Sequence, residues 1–185
     1  RRRFWRGWLV GAAWMYPGTV WMLDLTPPGY VIAAAFGSTF VALACAAVPP
    51  GAGRRIALPG ALVLAEAARW SWPFDGIPLA TIAHGQAAGP LAPSARIGNA
   101  LLLVLLVGVG GVALSAALSR RWIHAGLGAG LVVLAVLAAG VAPRAEVVGT
   151  FDVAIVQGGG EQNTRDRDTD DREVFEAHYD LSEQI

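Results

Sequence analysis

The side chains able to do chemistry are few and widely spaced along these 185 residues. Glu66 is an ionisable group inside an apolar stretch, and a charge at membrane depth marks a functional position unless a neighbour neutralises it. Arg69 follows three residues later on the same helical face, so the spacing favours an ion pair near a helix end. Cys45 lies in the middle of an apolar helix, where a thiol behaves as a small hydrophobe. It is the single cysteine, which excludes an internal disulfide framework and any CxxC metal or redox site. His84, His124 and His178 are isolated, without ligand spacing, and no metal site is expected. Asp166, Asp168 and Asp170 imitate the start of a calcium loop. Asp171 stands where that loop needs Gly, however, and Ala177 where it needs Glu, so the stretch reads as a solvated acidic loop. Gly158-Gly159-Gly160 could cradle a phosphate, but no GK[ST] follows and the GxGxxG spacing fails. That leaves a plain turn, and no cofactor is expected.

The connection Trp70–Ala95 is the most unusual segment. It carries Trp70, Trp72 and Phe74 close together, then Pro78, Pro90 and Pro93. Aromatic rings prefer the headgroup level of a bilayer, so one reading is an interfacial anchor. The sharper reading is a loop forming part of a lipid-access site beside an extracytoplasmic domain.

The elements that must hold these groups are written in the composition. Hydrophobic residues make up 55% of the chain and charged residues 15%, with a mean hydropathy of +0.49. A soluble chain averages roughly 25% charge. The net charge is zero, which removes the basic excess of a nucleic-acid binder. All 14 cationic residues are Arg. Before position 150 the only acids are Asp24, Glu66, Asp75 and Glu146; the rest crowd into Asp152–Glu183. The expected fold is therefore an α-helical multi-pass membrane bundle over residues 1–148, followed by a water-soluble segment over 149–185.

A bilayer-spanning helix needs about 20 apolar residues. Phe4–Leu23, Gly29–Val48, Ile97–Ser119 and Trp122–Pro143 meet that need, and Ile56–Ala68 is a shorter fifth segment with Pro59 and Glu66 inside it. Arginine placement decides in favour of the fifth crossing, because cytoplasmic connections carry the Arg excess. With five crossings, Arg1, Arg2, Arg3, Arg6, Arg54, Arg55, Arg120 and Arg121 fall on one side. The Thr26-Pro27-Pro28 turn, the Trp70–Ala95 loop and the acidic tail fall on the other, outside the cytoplasm. With four crossings the alternation fails. A cleaved signal peptide is excluded by the series of apolar segments. Gly7/Gly11 and Gly126/Gly130 have small-xxx-small spacing for close helix packing.

In the tail, Phe151–Gln157 reads as a strand ending at the triple glycine. Asp170 and Glu173 have the spacing of a capping box. Val174, Ala177, His178, Leu181 and Ile185 then share a helical face, giving the first strand and helix of an α/β domain.

The order of these features resembles the bacterial apolipoprotein N-acyltransferase family, a membrane bundle carrying a nitrilase-like (CN hydrolase) domain on its outer face. One stretch that carries the resemblance runs from Glu66 through Arg69, Gly76-Ile77-Pro78 and Gln86 to Gly89-Pro90-Leu91. The other is Val153-Ala154-Ile155-Val156-Gln157-Gly158 followed by Gln162, similar to the strand and turn that open the nitrilase-like domain. Leu79, His84, Gly85, Glu161 and Asp166 depart from the family pattern.

The resemblance implies transfer of a phospholipid acyl chain to the N-terminal diacylglyceryl-cysteine of lipoproteins through a Cys thioester. A Glu base and an oxyanion-stabilising Lys would assist. None of that triad maps onto this chain, which lacks Lys and has its one Cys in the wrong region, so these residues by themselves are expected to be inactive. The resemblance further implies that Trp72, Phe74 and Gln86 shape the lipid-facing loop, and that Gln157 and Gly158 set the first nitrilase-like turn. Expected partners are a phospholipid acyl donor and an apolipoprotein acceptor. The Arg-only, Ala/Gly-rich composition is that of a high-GC organism such as an actinobacterium, in which a polyprenol-phosphate mannose synthase would be a further partner. Two other readings stay open: a non-enzymatic membrane module or scaffold for a partner glycosyltransferase, and a membrane-tethered amidase of the nitrilase superfamily.

Overall fold

The computed structural model describes residues 1–73, 79–144, 146, 148–157 and 170–183. Helices α1 (Arg2–Gly18), α2 (Met22–Leu25), α3 (Pro27–Ala47), α4 (Arg54–Ser71), α5 (Ala95–Leu118), α6 (Trp122–Val141) and α7 (Asp171–Ser182) follow one another along it. The apolar segments become helices because each backbone N–H and C=O then finds its partner within the segment. The chain divides into two units, Arg1–Val20 with Tyr30–Pro143, and Trp21–Gly29 with Arg144–Ile185.

Pro27–Ala47, Ala92–Leu118 and Trp122–Val141 are long and apolar enough to cross a membrane. The other two expected segments are helical but differ in kind. The segment expected over Phe4–Leu23 ends as a helix at Gly18, one residue after Pro17. Thr19 closes it, its backbone N–H and its hydroxyl both donating to the Met15 carbonyl, and α2 follows as a separate short turn. At 1.5 Å per residue, α1 spans only about 25 Å, short of the roughly 30 Å hydrocarbon core. The segment expected over Ile56–Ala68 extends in both directions to become α4, and so takes in Arg54, Arg55 and Arg69 beside Glu66.

The segment expected over Ile97–Ser119 is also interrupted. Gly98 and Asn99 leave helical geometry, Asn99 with φ 55°, and the Asn99 side chain accepts from the Leu101 N–H at 2.8 Å. Asparagine tolerates positive φ and caps helices, so the uninterrupted helix restarts at Ala100.

Small residues decide how closely α1 meets α3. A Cβ on Gly7 would stand 2.6 Å from the Cys45 Cβ, and one on Gly11 would stand 2.8 Å from the Ser38 Cα. Ser38 is fully buried and returns its hydroxyl to the Ala34 carbonyl at 2.7 Å, so it brings no unpaired donor into the contact. The pair expected at Gly126/Gly130 does not pack against the described residues, since a Cβ at either would meet nothing within 4 Å. Gly128 lies against Ala113 instead. The physical reason is rotational: two residues on from Gly126, Gly128 faces a different side of α6, and that side meets α5.

Arginines close two helix ends. Arg3 donates to the Val48 carbonyl just past α3. Arg96, near the start of α5, donates to the carbonyls of Ala139 (3.1 Å), Ala142 (2.7 Å) and Pro143 (3.2 Å) at the end of α6. A cation placed on the last carbonyls satisfies groups that the helix leaves open and complements its dipole. The second contact makes α5 and α6 antiparallel, with the start of one tied to the end of the other. The first puts the start of α1 beside the end of α3, while the Tyr30 hydroxyl donates to the Tyr16 carbonyl at 3.0 Å where α1 ends and α3 begins.

In the second unit, the strand expected over Phe151–Gln157 is not paired into a sheet. Among the described residues no second strand stands beside it, and a strand exists through its neighbour's hydrogen bonds. The expected helix is present as α7. Asp170 caps it, its carboxylate accepting from the N–H groups of Arg172 (3.0 Å) and Glu173 (3.4 Å). Val174, Ala177 and His178 are its half-buried side, while Leu181 is exposed and Ile185 lies outside the described residues.

Candidate functional site

Helix α4 stops because Trp72 is extended, with φ −153° and ψ 140°, ahead of Pro73. Glu66 and Arg69 therefore occupy its closing turns. Glu66 is 3% exposed and Arg69 10%, and the Arg69 Nη2 donates to the Glu66 Oε2 at 2.7 Å. The expected ion pair is formed. The other guanidinium nitrogen, Nη1, donates to the Leu79 carbonyl in the connection that follows α4. The same group lies 5.6 Å from the centre of the Trp14 ring on α1. One buried cation thus joins α4, its outgoing connection and α1. A cation over an aromatic face is worth up to about 2 kcal/mol when water is excluded.

Past this lock the backbone is tightly specified. Ala80 has φ 46°, a region alanine rarely adopts, and lies against Gly18, where an added Cβ would stand 2.9 Å from its own. Thr81 and Ala83 are buried, with the Ala83 N–H donating to the Thr81 hydroxyl at 3.3 Å. Short 3-10 turns at His84–Gln86 and Ala92–Ser94 complete the connection into α5. Residues 79–94 are thus held by a side-chain lock at one end and by helical turns at the other.

The residues singled out from the sequence meet different fates. Trp72 is 62% exposed, and its ring centre is 5.3 Å from that of Phe36 on α3 in an edge-on arrangement. Phe36 in turn meets Phe40 at 5.4 Å, so Trp72 prolongs an aromatic strip along α3. Gln86 is half-buried beside Gly89, whose N–H donates to the Gln86 carbonyl at 2.9 Å. No contact among the described residues joins Gln86 to Trp72. Phe74 and Gly158 lie outside the described residues, as do Asp166 and Asp168; Gln157 is exposed in the second unit. Cys45 sits over Gly7 as a packing group. His84 and His124 are exposed, and no group of metal-ligating side chains occurs among the described residues.

Trp14, Phe36 and Arg96 were not anticipated as partners of this end of the bundle. Nothing in their local spacing marks them, because each acts across helices rather than along one. Among the described residues, three buried polar atoms have no hydrogen-bond partner: Glu66 Oε1, Trp70 Nε1 and Ser94 Oγ. The Glu66 carboxylate thus keeps one oxygen able to accept a further donor. The arrangement can position and bind; among its described residues no nucleophile stands beside a base.

No curated protein and no solved structure matches the chain. Residues 1–113, which run from α1 well into α5 and include the Glu66–Arg69 lock and the whole following connection, match the apolipoprotein N-acyltransferase N-terminal domain. A match across more than half of the sequence places this chain in the apolipoprotein N-acyltransferase N-terminal domain family.

Proposed function

We propose that this chain is the membrane part and domain entrance of an enzyme that moves a phospholipid acyl chain onto the α-amine of a lipoprotein's N-terminal diacylglyceryl-cysteine. In this reading the bundle occupies residues 1–148 and crosses the membrane five times, and residues 149–185 open an extracytoplasmic nitrilase-like domain. The observation that carries it is the Arg96 contact. Arg96 directly follows the Trp72–Ser94 connection and binds the carbonyls of Ala142 and Pro143, so the connection and the chain's exit from α6 share one end of the bundle. A domain leaving α6 starts on the same side of the membrane as the aromatic connection, where both lipid substrates would be presented.

The reaction has two balanced halves. A Cys thiolate attacks the acyl ester carbonyl, a C–S bond forms, and the ester C–O bond breaks. The lysophospholipid leaves as an alcohol, taking the proton that a Glu had removed from the thiol. The acceptor amine then attacks the thioester, its proton passes to the Glu, and the thiolate is regenerated as the amide forms. That Cys, its Glu and the oxyanion-stabilising Lys lie beyond Ile185 in this reading. Within the chain, Trp72, Phe74 and Gln86 form the lipid-facing side of the connection, and Gln157 with Gly158 makes the first turn of the domain.

The experiment is transfer of a labelled acyl chain from phospholipid to a diacylglyceryl-cysteine peptide by the full reading frame in membranes. Label on the peptide amine is expected, and no turnover from residues 1–185 alone. Hydrolysis of soluble amides without a phospholipid donor would make it a tethered amidase instead. A reporter fused after Gln157 that is active only in the cytosol would overturn the orientation.

A further inference from the structure

A cavity of about 610 Å³ lies along α4 and α5, and its lining changes character from one end to the other. One end is bordered by Arg54, Arg55 and Arg121; farther along, the wall is apolar, with Leu62, Ile82 and Val112. From Ser119 to Val107 it follows α5 for about 18 Å, more than half the thickness of a bilayer's hydrocarbon core.

Among the described residues of their own unit the three arginines have no counter-charge. Glu66 is the sole carboxylate among the described residues of this unit, it is bound to Arg69, and it stands about 18 Å farther along α4 than Arg54. The backbone sets which arginine faces the cavity. Helix α5 ends with the Arg121 N–H donating to the Ala116 carbonyl at 2.8 Å and the Arg120 N–H to the Ala117 carbonyl at 2.9 Å, with Arg120 at φ 56°. That is a Schellman closure with arginine where glycine is usual. It leaves Arg121 on the cavity wall and Arg120, its neighbour, off it.

We propose that this cavity holds an anionic glycerophospholipid, with its phosphodiester against Arg54, Arg55 and Arg121 and one acyl chain laid along the apolar wall. A guanidinium pairs with phosphate oxygens by two parallel hydrogen bonds, which accounts for the charged end. A free phosphate would leave the apolar length empty, and a zwitterionic lipid would bring its own cation beside three arginines whose charge it cannot offset. Space for the chain is kept open at Gly111, where a Cβ would meet nothing within 4 Å. This lipid is a resident ligand, and its binding is independent of the acyl-transfer reading.

The test uses the intact protein in zwitterionic detergent, titrated with phosphatidylglycerol, phosphatidylcholine or glycerol 3-phosphate, with bound lipid read by native mass spectrometry. Phosphatidylglycerol is expected to be retained, and neither of the others to match it. Arg121→Gln should weaken retention about fivefold, the effect of one arginine near an anionic headgroup. Gly111→Leu fills the apolar length, leaves every arginine in place and should also weaken it. Arg120→Gly removes the same charge off the cavity wall and should leave retention unchanged. Equal binding of phosphatidylcholine, an equal loss in Arg120→Gly, or glycerol 3-phosphate competing as well as the lipid would each overturn the proposal. Should a variant fail to fold, the wild-type protein carries a second test with phosphatidylglycerol bearing a photoreactive acyl chain. Label is expected on the peptide spanning Val107–Val112, and label spread evenly over α5 and α6 would overturn the proposal equally.

Discussion

Arg69 donates to Glu66 through one guanidinium nitrogen and to the Leu79 carbonyl through the other, so a single buried cation holds both the last turns of α4 and the connection leaving it. Replacing Arg69 by Met strands a buried carboxylate, and breaking such a pair typically costs about 3–5 kcal/mol. Glu66→Gln keeps an acceptor in place and should cost less, about 1–2 kcal/mol. Denaturant unfolding in micelles measures both values. Limited proteolysis within residues 79–94 should accelerate in Arg69→Met more than in Glu66→Gln. A wild-type cleavage pattern in Arg69→Met would show that the connection is ordered by something else.

The α1–α3 contact depends on missing side chains. Gly11→Val would drive a Cβ to within 2.8 Å of the Ser38 backbone, which no rotamer change relieves. Overpacking of this kind costs about 1–3 kcal/mol. Gly126→Ala enters open space and should be neutral or slightly stabilising, since alanine is the better helix former. Thermal unfolding of the two variants side by side should separate them; equal melting points would sink the packing argument.

Arg96→Gln removes three carbonyl contacts from the end of α6. At about 0.5–1.5 kcal/mol net for an ordinary hydrogen bond, and with partial replacement by water at an exposed end, a loss of about 1–2 kcal/mol is expected. The effect should be local. Hydrogen exchange should rise over residues 139–143 and stay at wild-type levels in α3, whereas a uniform rise would mean that Arg96 supports the whole bundle.

Arg120 adopts φ 56° to close α5, a conformation that costs an L-residue roughly 1–2 kcal/mol and glycine almost nothing. Arg120→Gly should therefore raise the melting temperature, while Arg120→Val, with a branched side chain at the same φ, should lower it. If both lower it, the Arg120 side chain contributes more than its backbone strain removes.

The helical content was legible from apolar run length, because a charge-free segment of about 20 residues has one economical way to satisfy its backbone. The Glu66–Arg69 pair was legible from three-residue spacing, and the cap at Asp170 from residue type, since both are interactions within a single turn. Ends and breaks were less so. Thr19 stops α1 and Asn99 interrupts α5 inside runs that hydropathy joins together, because hydropathy averages over a window and a break is one residue wide. The strand reading of Phe151–Gln157 rests on β-branched residues, which express a preference; pairing needs a neighbour that the residue pattern does not supply.

By itself, then, the order of residues determined a helical, arginine-bearing membrane chain with an acidic tail, the Glu66–Arg69 ion pair, and an aromatic connection between α4 and α5. Those features follow from solvation and from contacts within a helical turn, and both are local. Only the tertiary structure decided that Arg69 reaches Leu79 and Trp14, that Trp72 meets Phe36, that Gly11 rather than Gly126 carries a helix contact, and that Arg121 rather than Arg120 borders the cavity. Each of these joins groups that are distant in sequence, or depends on how a helix is rotated against its neighbour, and rotation is settled by packing between helices rather than by composition.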